Sequence, residues 1–298
     1  MIDHDGLHGA EKKTGEITLM KGTYPITISF FEKNGGEELS VGYAKHTQPL
    51  GEPSEGLLLR GEWEGCLWEG SLTEGTLTAK AALPGKGSLE LKKTSLTSPT
   101  AGKKPPKDAA VLLPLKEDEA PSLAAWTNPT WLSLPDGSMR VGKSDNRTRE
   151  RFGDCHLHIE FMTPYQPNDT GQGRGNSGVY LMDRYEVQVL DSFGLVPRMG
   201  DCGAIYGVAV PKVNACLPPL TWQTYDIDFK APRVDKTGNV KEMPSMTVYH
   251  NGTLIHENQT IPNATTAAGQ SGHAAKGPLK LQDHGNPVRY RNIWLVEK

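Results

Sequence analysis

The chain has 298 residues, room for one large domain beside a smaller one, because single hydrophobic cores rarely grow beyond about 250 residues. Its 32 basic and 35 acidic residues leave a formal net charge of -3, which gives no electrostatic footprint for nucleic acid or an anionic membrane surface. With 33 glycines and 22 prolines spread without a period, and no run of 18 apolar residues, the composition excludes collagen-like, long-helical and helical membrane-spanning architectures.

The opening MIDHDGLHGAEKK lacks the basic-then-apolar order of a signal peptide. Within residues 1–45 the runs ITL, YPITISFF and ELSVGY are rich in β-formers and divided by Gly-containing turns. From Leu57 to Leu91 apolar and polar residues alternate between Gly turns, which predicts a small antiparallel sheet with one solvated face in the region 46–95. The next stretch, residues 96–108, is rich in Pro, Lys, Thr and Ser; proline lacks a ladder donor, so this segment is predicted to be a linker.

Residues 109–298 read as the main domain. CHLHIEFM, SGVYLM, RYEVQVLD, TYDIDFKA, SMTVYHNGTLI, LKLQDH and RYRNIWLVE carry β-branched or aromatic residues in near alternation, at the intervals of a sandwich. The Asn-Gly pair in HNGT favours a type I′ hairpin joining MTVYH to TLIHE. The predicted fold class is all-β, a two-sheet jelly-roll sandwich. Five Asn-x-Thr sequons, at Asn146, Asn168, Asn251, Asn258 and Asn263, are read as Thr-rich surface loops.

Strand alternation sorts the polar residues. In RYEVQVLD, Glu186 and Gln188 share one face, and side-by-side polar groups buried without partners are costly, so that face is predicted to be a wet groove with Asp191 at its end. The preceding GQGRGNSGVYL surrounds Arg174 and Asn176 with glycines, a pattern that lets backbone approach a ligand closely. An ordinary solvent-facing strand and a flexible turn explain the same two patterns. In CHLHIEFM, His156, His158 and Glu160 line one strand face; with Glu186 they are the best candidates for a divalent metal, and a plain polar outer face is the competing explanation. Near the C-terminus, Gln282, Asp283 and His284 meet a Gly turn ahead of Arg289 and Arg291. An imidazole beside a carboxylate suits acid–base work near neutral pH, an Asp-type turn would need the same residues, and the arginines suit an oxyanion or a rim ion pair.

Four cysteines, Cys66, Cys155, Cys202 and Cys216, lack CxxC spacing, which argues against a zinc–thiolate site. A Cys202–Cys216 bridge would close a 13-residue segment and stabilise by roughly 3 kcal/mol; two buried free thiols are the alternative. No GxSxG, Walker or dinucleotide fingerprint occurs, so serine hydrolase, phosphate and nucleotide-cofactor chemistries lose support.

Taken together, GRGNSGVYL, RYEVQVLDSFG, GAIYGVAVPKVNACLPPLTWQTYDIDF and LQDHGNPVRYRNIW resemble the 3-keto-disaccharide hydrolase family over roughly residues 109–298. The resemblance implies a concanavalin-like jelly roll, a glycoside substrate, and cleavage of 3-keto-glycosides by 1,2-elimination and hydration with net hydrolysis. A 3-keto group acidifies the C2 proton, so one positioned base suffices to begin cleavage. Gln188 beside Glu186 departs from the paired carboxylates of a retaining glycosidase. On this basis His158 or His284 is a candidate acid or base, Glu186 and Gln188 hold hydroxyls or a metal, and Arg291 stabilises the enolate, a task a divalent metal could share. Tyr206, Lys212 and Trp222 are candidates to line the groove, with core packing as the alternative for them. Residues 1–45 resemble the C-terminal half of the protective-antigen-type sugar-binding module, which suggests a fragment or a degenerate copy. A non-catalytic lectin-like module of a surface protein is the competing function, and an extracytoplasmic setting is expected for either. One groove is predicted to gather Asn176, Glu186, Gln188, His158, Glu160, His284 and Arg291.

Overall fold

The structure, a computed structural model, describes residues 26–29, 57–63, 66–73, 76–83, 88–92, 96–166, 168–237 and 239–298. The chain divides into two compact units, Met1–Ser95 and Leu96–Lys298. In the first, strands β1 (Ile26–Ser29), β2 (Leu57–Trp63), β3 (Cys66–Thr73), β4 (Thr76–Leu83) and β5 (Ser88–Lys92) pair in sequence order. β2 to β5 form the antiparallel meander that alternation predicts, and β1 adds to β2 in parallel. Apart from β1, the segment resembling a protective-antigen-type module lies outside the described residues.

The second unit is an all-β jelly roll of two antiparallel sheets. The larger contains β6 (Ala110–Leu113), β7 (Leu132–Ser133), β8 (Met139–Arg140), β10 (Cys155–Met162), β13 (Gln223–Lys230), β16 (Ser245–His250), β17 (Thr253–Thr260) and β19 (Arg289–Glu297). Its order is β17-β16-β13-β10-β19-β8-β7, with β6 also on β19. The smaller sheet orders β12 (Tyr185–Val189), β11 (Ser177–Leu181), β18 (Lys280–Leu281) and β9 (Asn146–Arg147). A short ribbon of β14 (Arg233–Val234) and β15 (Val240–Glu242) stands apart. Among the described residues the only helical turn is 3-10, at Gly171–Gly173.

Alternation decides which residues fill the core. Leu157, Ile159 and Phe161 of β10, Tyr225, Ile227 and Phe229 of β13, and Ile293 and Leu295 of β19 cluster with Val179, Leu181, Val187 and Val189 of the small sheet. Each side chain removed from water in this way contributes roughly 1.5–3 kcal/mol. The residues between them necessarily face outward, and both functional arguments below depend on that.

The predicted hairpin is present: Asn251 and Gly252, at φ 50° and 77°, connect β16 to β17 with both central residues in the left-handed region that a type I′ turn requires. One expectation is corrected, and one open alternative is decided. Asn146 is no surface loop residue; it is fully buried in β9, where its Oδ1 accepts the Asn128 N–H. The cysteines at 202 and 216 are buried free thiols: Cys202 Sγ lies 3.2 Å from the Tyr225 hydroxyl and Cys216 Sγ 3.6 Å from the Leu190 carbonyl.

Residues 96–108, expected as a linker, belong to the second unit and lie on the outer face of the large sheet. Ser98 Oγ is 3.0 Å from Thr224 Oγ1, the Gly102 N–H donates to Glu160 at 2.6 Å, and Lys103 pairs with Asp226 at 2.8 Å. Asn292 and the Trp294 indole both donate to the Lys103 carbonyl. Proline cannot donate to a ladder, but a polar sheet face offers side-chain partners that a strap can use without one.

Candidate active site

The outer face of the small sheet carries a polar cluster that follows from pairing register. On β12, Glu186 lies opposite Tyr180 of β11, and Gln188 lies opposite Gly178. Tyr180 in turn faces Lys280 of β18, which faces Arg147 of β9. Gly178 makes room for the acid: a Cβ there would collide with Glu186 Oε1 and sit 2.7 Å from Tyr180 Cε2.

This face is a closed chamber, which corrects the expected wet groove. Glu186, Gln188, Asn176, Tyr180 and Lys280 are all 2 % exposed or less. Three segments fold across it. Gln172, in the glycine-rich turn, accepts from Gln188 Nε2 at 3.0 Å and from Asn176 Nδ2 at 3.2 Å, and donates to the Gly200 carbonyl at 2.8 Å. Half-buried Tyr206 donates its N–H to the Glu186 carbonyl at 3.3 Å. Thr265 Oγ1 accepts the Glu186 N–H, and the carbonyls of Thr266 and Ala267 accept from the Tyr180 hydroxyl and from Lys280 Nζ.

The charges inside are unequal. Burial pushes the Glu186 carboxyl up to about 8, against the pull of the Tyr180 phenol and the Lys280 ammonium, so it is mostly protonated at neutral pH and half-ionised near pH 8. Burial, then the adjoining Glu186 carboxyl, holds the Tyr180 phenol well above its ordinary value, which makes it a standing donor. Lys280 Nζ lies 3.7 Å over the Tyr180 ring, 3.2 Å from Asp145 and 3.4 Å from Asp183. Gln282 Nε2 donates to the Tyr180 hydroxyl at 3.1 Å. Two buried carbonyl oxygens, Asn176 Oδ1 and Gln188 Oε1, have no hydrogen-bond partner. An orphaned buried acceptor costs free energy that a ligand hydroxyl would recover.

The other predicted site residues divide between supporting positions and distant ones. Arg174 braces the end of β12 through the Asp191 carbonyl and carboxylate. Asp283 caps the Ser144 and Gly285 N–H groups, the turn role that was its alternative, and His284 is exposed at the tip of that turn. Lys212 is exposed and pairs with Glu257.

His156, His158, Glu160, Arg291 and Trp222 do not share a groove with Glu186. They occupy the outer face of the large sheet: His156, His158 and Glu160 alternate with the core residues of β10, Arg291 shares the parity of Ile293 and Leu295 but is brought opposite Glu160 by an irregularity in the β10–β19 register, with Asn292 at φ 46°, and the sandwich core separates the two outer faces. His158 Nδ1 is 2.9 Å from Asp226, Arg291 Nε is 2.7 Å from Glu160, and the Arg291 guanidinium lies 4.2 Å over Trp222. Burial opposes the charge on His158, but hydrogen bonds to Asp226 and Glu160 outweigh it and raise the imidazole above its usual value. Burial likewise opposes the Glu160 charge, and His158, Asn292, the Gly102 N–H and Arg291 together bring the carboxyl down to about 2.

Neither set fits a metal ion as arranged. The Glu160 oxygens are already taken by Gly102, Asn292 and Arg291, and in the chamber the Lys280 ammonium occupies the position between Asp145 and Asp183. No group of three His, Cys, Asp or Glu side chains converges on a common point among the described residues.

Sequence reasoning missed Tyr180, Lys280 and Gln172. The first two carried a signal: Tyr180 shares strand parity with Gly178, and Lys280 and Gln282 are the polar members of an alternating LKLQ. Gln172 carried none, since its role depends on how a turn crosses the sheet.

Among curated proteins, none matches the chain. A candidate glycosyl hydrolase from Parabacteroides distasonis is 35% identical with a TM-score of 0.58, over 64% of this chain and 84% of that one. A second candidate glycosyl hydrolase from the same organism is 21% identical with a TM-score of 0.45, over 64% and 99%. The carbohydrate-binding module CBM66 from Bacillus subtilis is 15% identical with a TM-score of 0.36, over 57% and 93%. Residues 116–296, more than half of the chain, match the sequence profile of the 3-keto-alpha-glucoside-1,2-lyase-like domain, and the chain belongs to that family.

Proposed function

We propose that the chamber cleaves 3-keto-glycosides, with Glu186 as the base. The observation that carries this reading is a buried carboxyl held at about 8 beside a phenol and an ammonium. A base whose pKa lies near the working pH removes protons most effectively. Ionised Glu186 takes the proton from C2, and the electron pair moves toward the C3 carbonyl to give an enolate. Tyr180 and Lys280 stabilise that developing oxyanion in a site that excludes water. The pair then returns to form the C1–C2 double bond as the glycosidic C1–O bond breaks, and the leaving oxygen takes the proton that Glu186 removed from C2, which restores the carboxylate. Water subsequently adds across the double bond, its oxygen to C1, so that the sum is hydrolysis. Asn176 Oδ1 and Gln188 Oε1 accept hydroxyls of the sugar, and Gln172 moves aside as it enters.

The test is release of a chromogenic aglycone from a 3-keto-glucoside, together with exchange of the C2 hydrogen in deuterated water. The expected result is both, with release and exchange lost together in Glu186→Gln. Neither release nor exchange at high enzyme concentration overturns the proposal. Saturable sugar binding without either would leave the chamber as a binding site, the function that the two orphaned acceptors alone would support.

A further inference from the structure

A pocket of about 380 Å³ opens on the large sheet, at the end of its outer face, and includes no residue of the Glu186 chamber. We propose that it is a second binding site, for a carboxylate carried on an organic ring such as a uronic acid residue.

Arg140 of β8 and Arg289 of β19 are direct cross-strand partners, and both line the pocket. Like charges placed opposite each other on a sheet destabilise it unless something compensates them. Asp136 compensates one: its Oδ2 lies 2.6 Å from Arg289 Nη1. Arg140 has no ion pair among the described residues. Two guanidinium groups thus face a single carboxylate, which leaves one positive charge uncompensated. A guanidinium offers parallel N–H donors that match the two oxygens of a carboxylate.

The remaining walls are not those of a bare-ion site. Met162, the other cross-strand neighbour of Arg289, lies beside it, and Pro164, Pro287 and Leu220 complete an apolar rim. Leu220 holds a left-handed backbone, φ 62°, and the residue is 63 % exposed, while its N–H donates to the Thr163 carbonyl. A bulky residue at positive φ is uncommon and costs free energy; such outliers cluster at ligand clamps. Thr163 also lines the pocket, and its buried Oγ1 lacks a partner. Cationic donors together with C–H-rich walls suit an anionic group attached to a ring.

The experiment is calorimetric titration of the full chain with methyl glucuronide, methyl glucoside and inorganic sulfate at low ionic strength. Saturable binding of the glucuronide is expected, with no binding of the neutral glucoside and weaker binding of sulfate. Arg140→Gln should weaken the glucuronide at least tenfold. Asp136→Asn, which keeps the turn-capping oxygen but frees Arg289, should strengthen it several-fold, a gain that misfolding cannot imitate. Glu186→Gln should leave it unchanged, which separates this pocket from the chamber. Equal binding of the neutral glucoside, sulfate binding as tightly as the glucuronide, or undiminished binding by Arg140→Gln would overturn the proposal.

Discussion

Replacing Glu186 by Gln separates what the chamber costs the fold from what it does. The carboxyl sits at about 8 in the folded chain, against 4.5 for the unperturbed group. Because the folded value is the higher one, the stability associated with the neutral carboxyl is complete below pH 4.5. It declines as the pH rises, since the unfolded chain ionises first, and levels off above about pH 8. At about 1.36 kcal/mol per pH unit, the interval from 4.5 to neutral pH corresponds to ~3 kcal/mol. Glutamine keeps the shape and does not titrate. The variant should therefore match the parent near pH 4 and be more stable by about 3 kcal/mol at pH 7, while aglycone release falls by about 100-fold or more. Urea unfolding followed by tryptophan fluorescence at several pH values measures the first quantity. A stability difference that does not grow with pH would refute the buried neutral carboxyl, and undiminished release would refute the base.

Gly178→Ala places a methyl group where Glu186 Oε1 now lies; aglycone release should fall at least about tenfold, with a cost of about 1–3 kcal/mol in urea unfolding. Lys280→Met leaves Asp145 and Asp183 without their buried ammonium and should cost about 3–5 kcal/mol; since Lys280 lowers the Glu186 value, the pH–rate profile should also move to higher pH. Glu160→Gln strips Arg291 and His158 of a carboxylate held at about 2. It should destabilise by about 3 kcal/mol at neutral pH and progressively less as the pH falls from 4.5 through about 2, with the rate per folded molecule unchanged. A loss of turnover in that variant would return the large-sheet face to the chemistry.

The strands of the second unit were legible in the sequence because each buries one face, and period-2 alternation records that burial residue by residue. Glu186 with Gln188, and His158 with Glu160, could each be assigned to a shared strand face on the same ground. What alternation does not encode is which sheet a strand joins. The expected single groove failed there: β10 and β12 entered different sheets, so two polar faces that look equivalent in sequence ended on opposite sides of one core. The strap at 96–108 departs from the expected linker for a related reason. Its prolines correctly exclude a ladder strand, yet its polar atoms are satisfied by Glu160, Asp226, Asn292 and Trp294, residues that sequence separation hides.

By itself, then, the sequence determined an all-β architecture, its turn chemistry at Asn251–Gly252 and the polar identity of the strand faces, because these depend on local dihedral preference and on side-chain period. Tertiary structure alone decided that Glu186 would be enclosed with Tyr180 and Lys280 rather than with His158 and Arg291. Burial, and with it the shift of the Glu186 carboxyl to about 8, arises from segments that cross the sheet from far along the chain, and no local pattern records their arrival.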